Sequence, residues 1–319
     1  MLLSRVAEAV YWTGRYLERA EGTARLVQVH TELFVDLPRA AGVNWSPLLV
    51  VTGSTVPFAE LYSEDSEDDV VRFLTVDARN SGAVIGSLER ARANLRTARP
   101  VFPRELWESL NNLYVLSVEA ADTAVQRRSR VAWLDTVISE CQRLTGIASG
   151  SMSHDEAYAF LRIGRHVERA DMTTRVLDVC AATFFHAEEQ LRPYADVTWM
   201  SVLKSLSAYQ TYRRRTQSRI RGADALAFLL RDPQFPRSVE HCLIDISRSL
   251  VDLPHHDAAL ALCADAEALV SDAMVPAMDW RGLHRYADRL QRELANLHEA
   301  LVATYFGAEP VRASALVSA

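Results

Sequence analysis

The chain has 319 residues, 49% of them hydrophobic and 24% charged, which is the balance of a folded globular protein and not of a disordered one. A net charge of −6 and a pI near 5.9 exclude a general electrostatic pull toward nucleic acid or anionic membrane. No basic segment leads into an apolar run, and no uninterrupted apolar run approaches the roughly 18 residues of a membrane span, so a cytoplasmic protein is expected.

The first predicted element is a helix from about Arg5 to Leu37, stopped by Pro38. At 100° per residue, Val6, Val10, Leu17, Ala20, Ala24 and Val27 cover one broad side. Tyr11, Trp12, Leu26 and Val29 cover much of the other, and Arg15, Glu18, Arg19 and Arg25 are interleaved among them with Gly22. A surface helix segregates its charges from its apolar stripe. This one does not, so it reads as a largely buried helix that carries charges inward, where they must be paired. The spacings Arg15–Glu18 and Glu21–Arg25 place partners side by side on one helix.

A loop over 38–47 follows, then a helix over about 47–62 that Pro57 kinks or divides. Ser66 is expected to cap a short helix with Glu67, Asp68 and Asp69 in its first turn. After a break at Asn80-Ser81-Gly82, helices are predicted over about 82–98, 104–126 and 131–148, with Arg127-Arg128-Ser129-Arg130 as a basic turn. Gly146 to Ser151 reads as a hinge.

Beyond it the first stretch returns. Gly14-Arg15-Tyr16-Leu17-Glu18-Arg19-Ala20-Glu21-Gly22-Thr23-Ala24-Arg25 is answered 150 residues on by Gly164-Arg165-His166-Val167-Glu168-Arg169-Ala170-Asp171-Met172-Thr173-Thr174-Arg175. Between 5–30 and 155–180, 10 of 26 positions are identical, and five of those (Arg15, Glu18, Arg19, Thr23, Arg25) are polar, which helical composition alone would not repeat in register. Self-similarity at a fixed offset predicts two diverged copies of one helical unit, 1–150 and 151–307, packed together, with a tail over 308–319. The second long helix is predicted over about 154–191, opened by a Ser153–Glu156 capping box and ended at Pro193. Trp199 answers Trp45, and Phe228-Leu229 with Asp232 answers Phe73-Leu74 with Asp77. Further helices are predicted over about 197–219, 222–231, 236–252, 256–272 and 278–306. No segment alternates apolar and polar residues for long, so the fold class is all-α. The two Glu-Arg helices are expected to be neighbours at the centre.

The charged stripe has two readings. It is an ion-pair network that locks helices together, or it is a polar cavity where Arg15, Arg19, Arg25, Arg165, Arg169 and Arg175 grip an anionic ligand. Glu18 and Glu168 would then be the catalytic candidates, as general bases if burial raised their pKa. Arg213, Arg214 and Arg215 form the densest basic cluster and read as an exposed face or a docking site. Cys141, Cys180, Cys242 and Cys263 are isolated and read as buried free thiols. No paired Glu-x-x-His, no phosphate loop and no Gly-x-Ser-x-Gly is present, so no metal or cofactor is assigned, and His166 reads as a hydrogen-bonded core histidine.

The opening Ser4-Arg5-Val6-Ala7-Glu8, Tyr11-Trp12, Gly14-Arg15-Tyr16, Glu18-Arg19-Ala20-Glu21 and Thr23-Ala24-Arg25 resembles the start of the bacterial α-E family, helical domains named for a Glu-Arg motif. Tyr212-Arg213-Arg214-Arg215, Phe228-Leu229-Leu230 and Asp232-Pro233-Gln234-Phe235-Pro236-Arg237-Ser238-Val239 carry the same likeness, which covers the chain to about residue 306. Members are encoded beside, or fused to, circularly permuted ATP-grasp amide ligases, often with a transglutaminase-like peptidase. The resemblance therefore implies an accessory role in peptide or amide-bond formation or processing, with the ligase as partner. An enzyme acting through a central Glu/Arg site is the alternative, and a plain scaffold or homo-oligomer is the third reading.

Overall fold

A computed structural model describes residues 2–37, 43–186, 194–217, 219–273, 278 and 280–307. Among these the chain forms fifteen α-helices and no strand. They are α1 (Ser4–Asp36), α2 (Ser46–Val51), α3 (Thr55–Ala59), α4 (Glu67–Thr75), α5 (Val84–Thr97), α6 (Arg104–Glu119), α7 (Ala121–Val125) and α8 (Arg127–Ser151). The rest are α9 (Glu156–His186), α10 (Ala195–Ser205), α11 (Tyr209–Thr216), α12 (Gly222–Arg231), α13 (Val239–Val251), α14 (Asp257–Ser271) and α15 (Trp280–Leu301), which ends in a π turn, Val302–Phe306. The stops assigned to Pro38 and Pro193, the tail 308–319 and the side chain of Cys180 lie outside the described residues.

The two long helices, α1 and α9, pack on each other at the centre. Their crossing is set by glycine. A Cβ on Gly14 would overlap the carbonyl oxygen of Leu161, and one on Gly164 would overlap that of Tyr11. Each helix thus presents a bare backbone where the other's carbonyl passes, and side chains cannot hold them apart. On one flank α5 and α8 cover α1, with α6 resting on both. On the other, α13 and α15 cover α9, with α14 resting on both. The short helices reach across, α2 onto α9 and α10 onto α1. One continuous apolar core runs from Val10 and Leu74 to Leu243 and Leu297.

Several expectations need correcting. The helix predicted over 47–62 breaks at Gly53, whose φ of +65° only glycine adopts without strain, and not at Pro57. Pro57 sits in the first turn of α3, where its missing N–H has no helical partner to lose. The 104–126 helix is interrupted at Ala120, and the 197–219 helix at Ser207, where φ is +53°. Arg127 to Arg130 is the first turn of α8 and not a separate turn, with Arg127 and Arg128 exposed. Arg130 is fully buried there and donates to Glu67 (2.8 Å) and to the Val125 carbonyl (2.8 Å). The hinge at 146–151 is helical to Ser151. Asp155, not Ser153, caps α9: its Oδ1 accepts from the Ala157 N–H (2.9 Å), and Glu156 is drawn off to the Leu2 N–H (2.7 Å). Ser66 does cap α4, accepting from the Asp69 N–H, with all three predicted acids in the first turn.

Candidate functional site

The charged stripe of α1 faces α9. Arg15 and Glu18, three residues apart, do not pair. Both reach across the crossing instead. Arg15 Nε donates to Glu168 (2.7 Å), and Arg19 grips the same carboxylate with Nε (2.6 Å) and Nη2 (3.0 Å). In return Arg169 grips Glu18 with Nε (3.0 Å) and Nη2 (2.7 Å). The Arg19–Glu168 contact is returned by Arg169–Glu18 under the same 150-residue offset that relates the two sequences, whereas Arg15–Glu168 has no counterpart at Arg165. Among the described residues no guanidinium touches both Glu18 and Glu168, so the charges form two clusters and not one shared site.

The Glu18 cluster is extended by a residue that the sequence reading did not single out. Arg237 donates Nη1 to Glu18 and Nη2 to Glu21 (2.7 Å). Arg25 also holds Glu21, as the four-residue spacing predicts. Arg237 is placed by a tight loop: Asp232 Oδ1 accepts from the Gln234 (2.9 Å) and Phe235 (2.8 Å) N–H groups, and Ser238 caps α13. The signal for Arg237 lay in the Asp232-Pro233-Gln234-Phe235-Pro236-Arg237-Ser238 segment, but no spacing rule links residue 237 to residue 18.

Glu18 and Glu168 are 4% exposed. Burial by itself would raise their pKa, but Arg169 and Arg237 outweigh it for Glu18, as Arg15 and Arg19 do for Glu168, and both are held below the usual carboxylate range. A general base needs the opposite shift. The catalytic role read for these two residues therefore lacks its electrostatic condition. Glu18, Glu21 and Arg165 border a cavity of about 20 Å³, room for a water molecule and not for a peptide.

The other sequence candidates fall elsewhere. Arg175 pairs with Asp171 on its own helix (2.9 Å). Arg165 makes no hydrogen bond or ion pair among the described residues, its Nε is enclosed, and burial lowers its pKa. Arg213, Arg214 and Arg215 are all exposed on α11, and Arg215 pairs with Asp232, donates to Gln234 (3.2 Å) and lies over the Phe228 ring. His166 is buried, as expected of a core histidine, but not hydrogen-bonded: its Nε2 lies 3.2 Å from Asp245 Oδ2 without hydrogen-bond geometry. Burial outweighs the neighbouring Asp245 carboxylate and lowers its pKa to about 3. Cys141, Cys242 and Cys263 are buried free thiols, and burial pushes Cys242 and Cys263 up to about 12. Among the described residues no helix is long and apolar enough to cross a membrane.

A family model, Alpha-E, described as a predicted alpha-helical domain with a conserved ER motif, matches residues 2–306. An uncharacterized protein of Mycobacterium bovis is 28% identical over 277 residues, 78% of this chain and 30% of that protein. An uncharacterized protein of Mycobacterium tuberculosis matches with the same identity and coverage. The chain thus spans about a third of the length of the curated relatives it matches. No solved structure matches it.

Proposed function

The chain belongs to the Alpha-E family, and from that premise we propose that it is a helical accessory module of an ATP-grasp-linked system that forms or processes peptide or amide bonds. The observation that carries the reading is the closed Glu-Arg centre. Its carboxylates are saturated by guanidiniums and kept ionised, and the adjoining cavity is too small for a substrate. Such a centre holds helices in place, which leaves function to the outer surface. The mycobacterial relatives support a modular role, because the region they share with this chain is a minor part of a longer protein. In the same reading α1 and α9 head two diverged copies of one unit, which their reciprocal Glu-Arg contacts support.

The test is reconstitution. A circularly permuted ATP-grasp ligase from the same genome is assayed for ATP-dependent amide-bond formation, with product followed by mass spectrometry, in the presence and absence of this chain. Turnover that depends on the chain, together with co-purification of the two proteins, is the expected result. Full ligase turnover without the chain overturns the reading.

A further inference from the structure

A groove of about 450 Å³ opens between α1 and α5, within the size range of small-molecule sites. We propose that it binds the carboxylate end of a short peptide. Its wall is aromatic: Trp12 and Tyr16, one turn apart on α1, stack with centroids 5.2 Å apart. These rings are held from behind by the central network. The guanidinium of Arg15 lies 5.1 Å from the Trp12 ring, and that of Arg19 lies 5.4 Å from Tyr16. Both arginines are fixed in turn by Glu168, so the platform is rigid before any ligand arrives. A planar amide can lie on such a surface.

The Thr97 hydroxyl of the groove donates to the Ala93 carbonyl (3.2 Å), but the charged groups are unspent. Arg5, Glu8 and Arg90 are exposed and border it, and none forms an ion pair or hydrogen bond among the described residues. The guanidinium of Arg90 lies 5.8 Å from the Tyr16 ring. The side-chain amide of Asn94 is also without a hydrogen bond among the described residues. Two free guanidiniums suit a carboxylate, which arginine binds bidentately. The neighbouring Glu8 disfavours a polyanion and suits an amino group or amide N–H. Carboxylate, planar amide and N–H donor together are the chemistry of a peptide terminus.

The proposal goes beyond the accessory reading and does not depend on it, since the assay contains no ligase. Trialanine as the free acid, trialanine with an amidated C-terminus, and inorganic phosphate are each titrated into the full chain, with the tryptophan indole N–H signals followed by NMR. The free acid is expected to shift one indole signal, identified as Trp12 by its loss in Trp12→Phe. The amidated peptide is expected to bind about tenfold or more weakly, and Arg90→Gln to weaken the free acid by a similar factor while the melting temperature stays unchanged. Equal binding of acid and amide, equal binding of phosphate, an unaltered affinity in Arg90→Gln, or no response at millimolar peptide each overturns it. A ligase that proves indifferent to this chain leaves the binding result standing.

Discussion

Glu168 is the clearest case of a residue whose worth depends on its partners. It lies between Arg15, which is buried with it, and Arg19, which is partly exposed. Removing it leaves a buried cation uncompensated, so Glu168→Leu is expected to destabilise the chain by about 3–5 kcal/mol in urea unfolding. The triple variant Arg15→Met, Arg19→Met, Glu168→Leu removes charge and countercharge together and should lose less than the single one, because a buried ion pair is close to neutral against apolar residues of similar volume. A single-variant loss below about 1 kcal/mol would mean that the centre is wet and open to ligand, and the architectural reading would fall. The stripe was legible as buried and inward-facing because its charges share a side with Tyr11, Trp12 and Leu26. Its pairing was legible only for Glu21–Arg25, the one pair made within a helix turn.

At the scale of the element, glycine separates two uses that look alike in sequence. Gly14 and Gly164 permit the backbones of α1 and α9 to touch, and the clashing atoms are carbonyls that cannot rotate away. Gly164→Ala should therefore lower stability by about 1–3 kcal/mol or more, despite alanine's better helix propensity. Gly146 and Gly150 lie exposed inside α8, and a methyl group added at either would meet nothing within 4 Å. Alanine at either should raise stability by about 0.5–1 kcal/mol. Thermal unfolding of the variants side by side checks both, and a gain from Gly164→Ala would show that the two backbones do not touch at the crossing. The same two glycines of α8 misled the hinge expectation: a glycine weakens a helix but does not end one that is packed along its length.

Across the whole molecule, acid should be the weak side. His30, which shares a hydrogen bond with the Asn44 carbonyl (2.8 Å), is lowered by burial to about 4, and His166 to about 3. The unfolded chain takes up these protons near pH 6.5 and the folded one does not, so their contribution is lost as pH falls from about 6.5 toward 3. Glu18 and Glu168 act in the same sense below about 4.5, because their folded pKa values are also lowered. His241 and His284, raised by Asp245 and Asp178, oppose this in the neutral range. The urea midpoint should fall between pH 6.5 and 4, and the fall should be shallower in His30→Gln. A fall equally steep in His30→Gln and in the parent chain would refute a buried neutral His30.

The sequence by itself determined what is local or periodic. Helical class followed from a 3.6-residue pattern without alternation, the Ser66 cap from hydroxyl and acids in adjacent positions, and the inward charges of α1 from their place among apolar residues. Only the tertiary structure decided who pairs with whom. Arg15 turns away from Glu18 to Glu168, Arg237 joins Glu18 from a loop 219 residues distant, and Arg130 leaves the surface for Glu67. Arginine side chains are long and their ion pairs are chosen by desolvation, which depends on which helices close over them. Nothing in residue spacing encodes that closure.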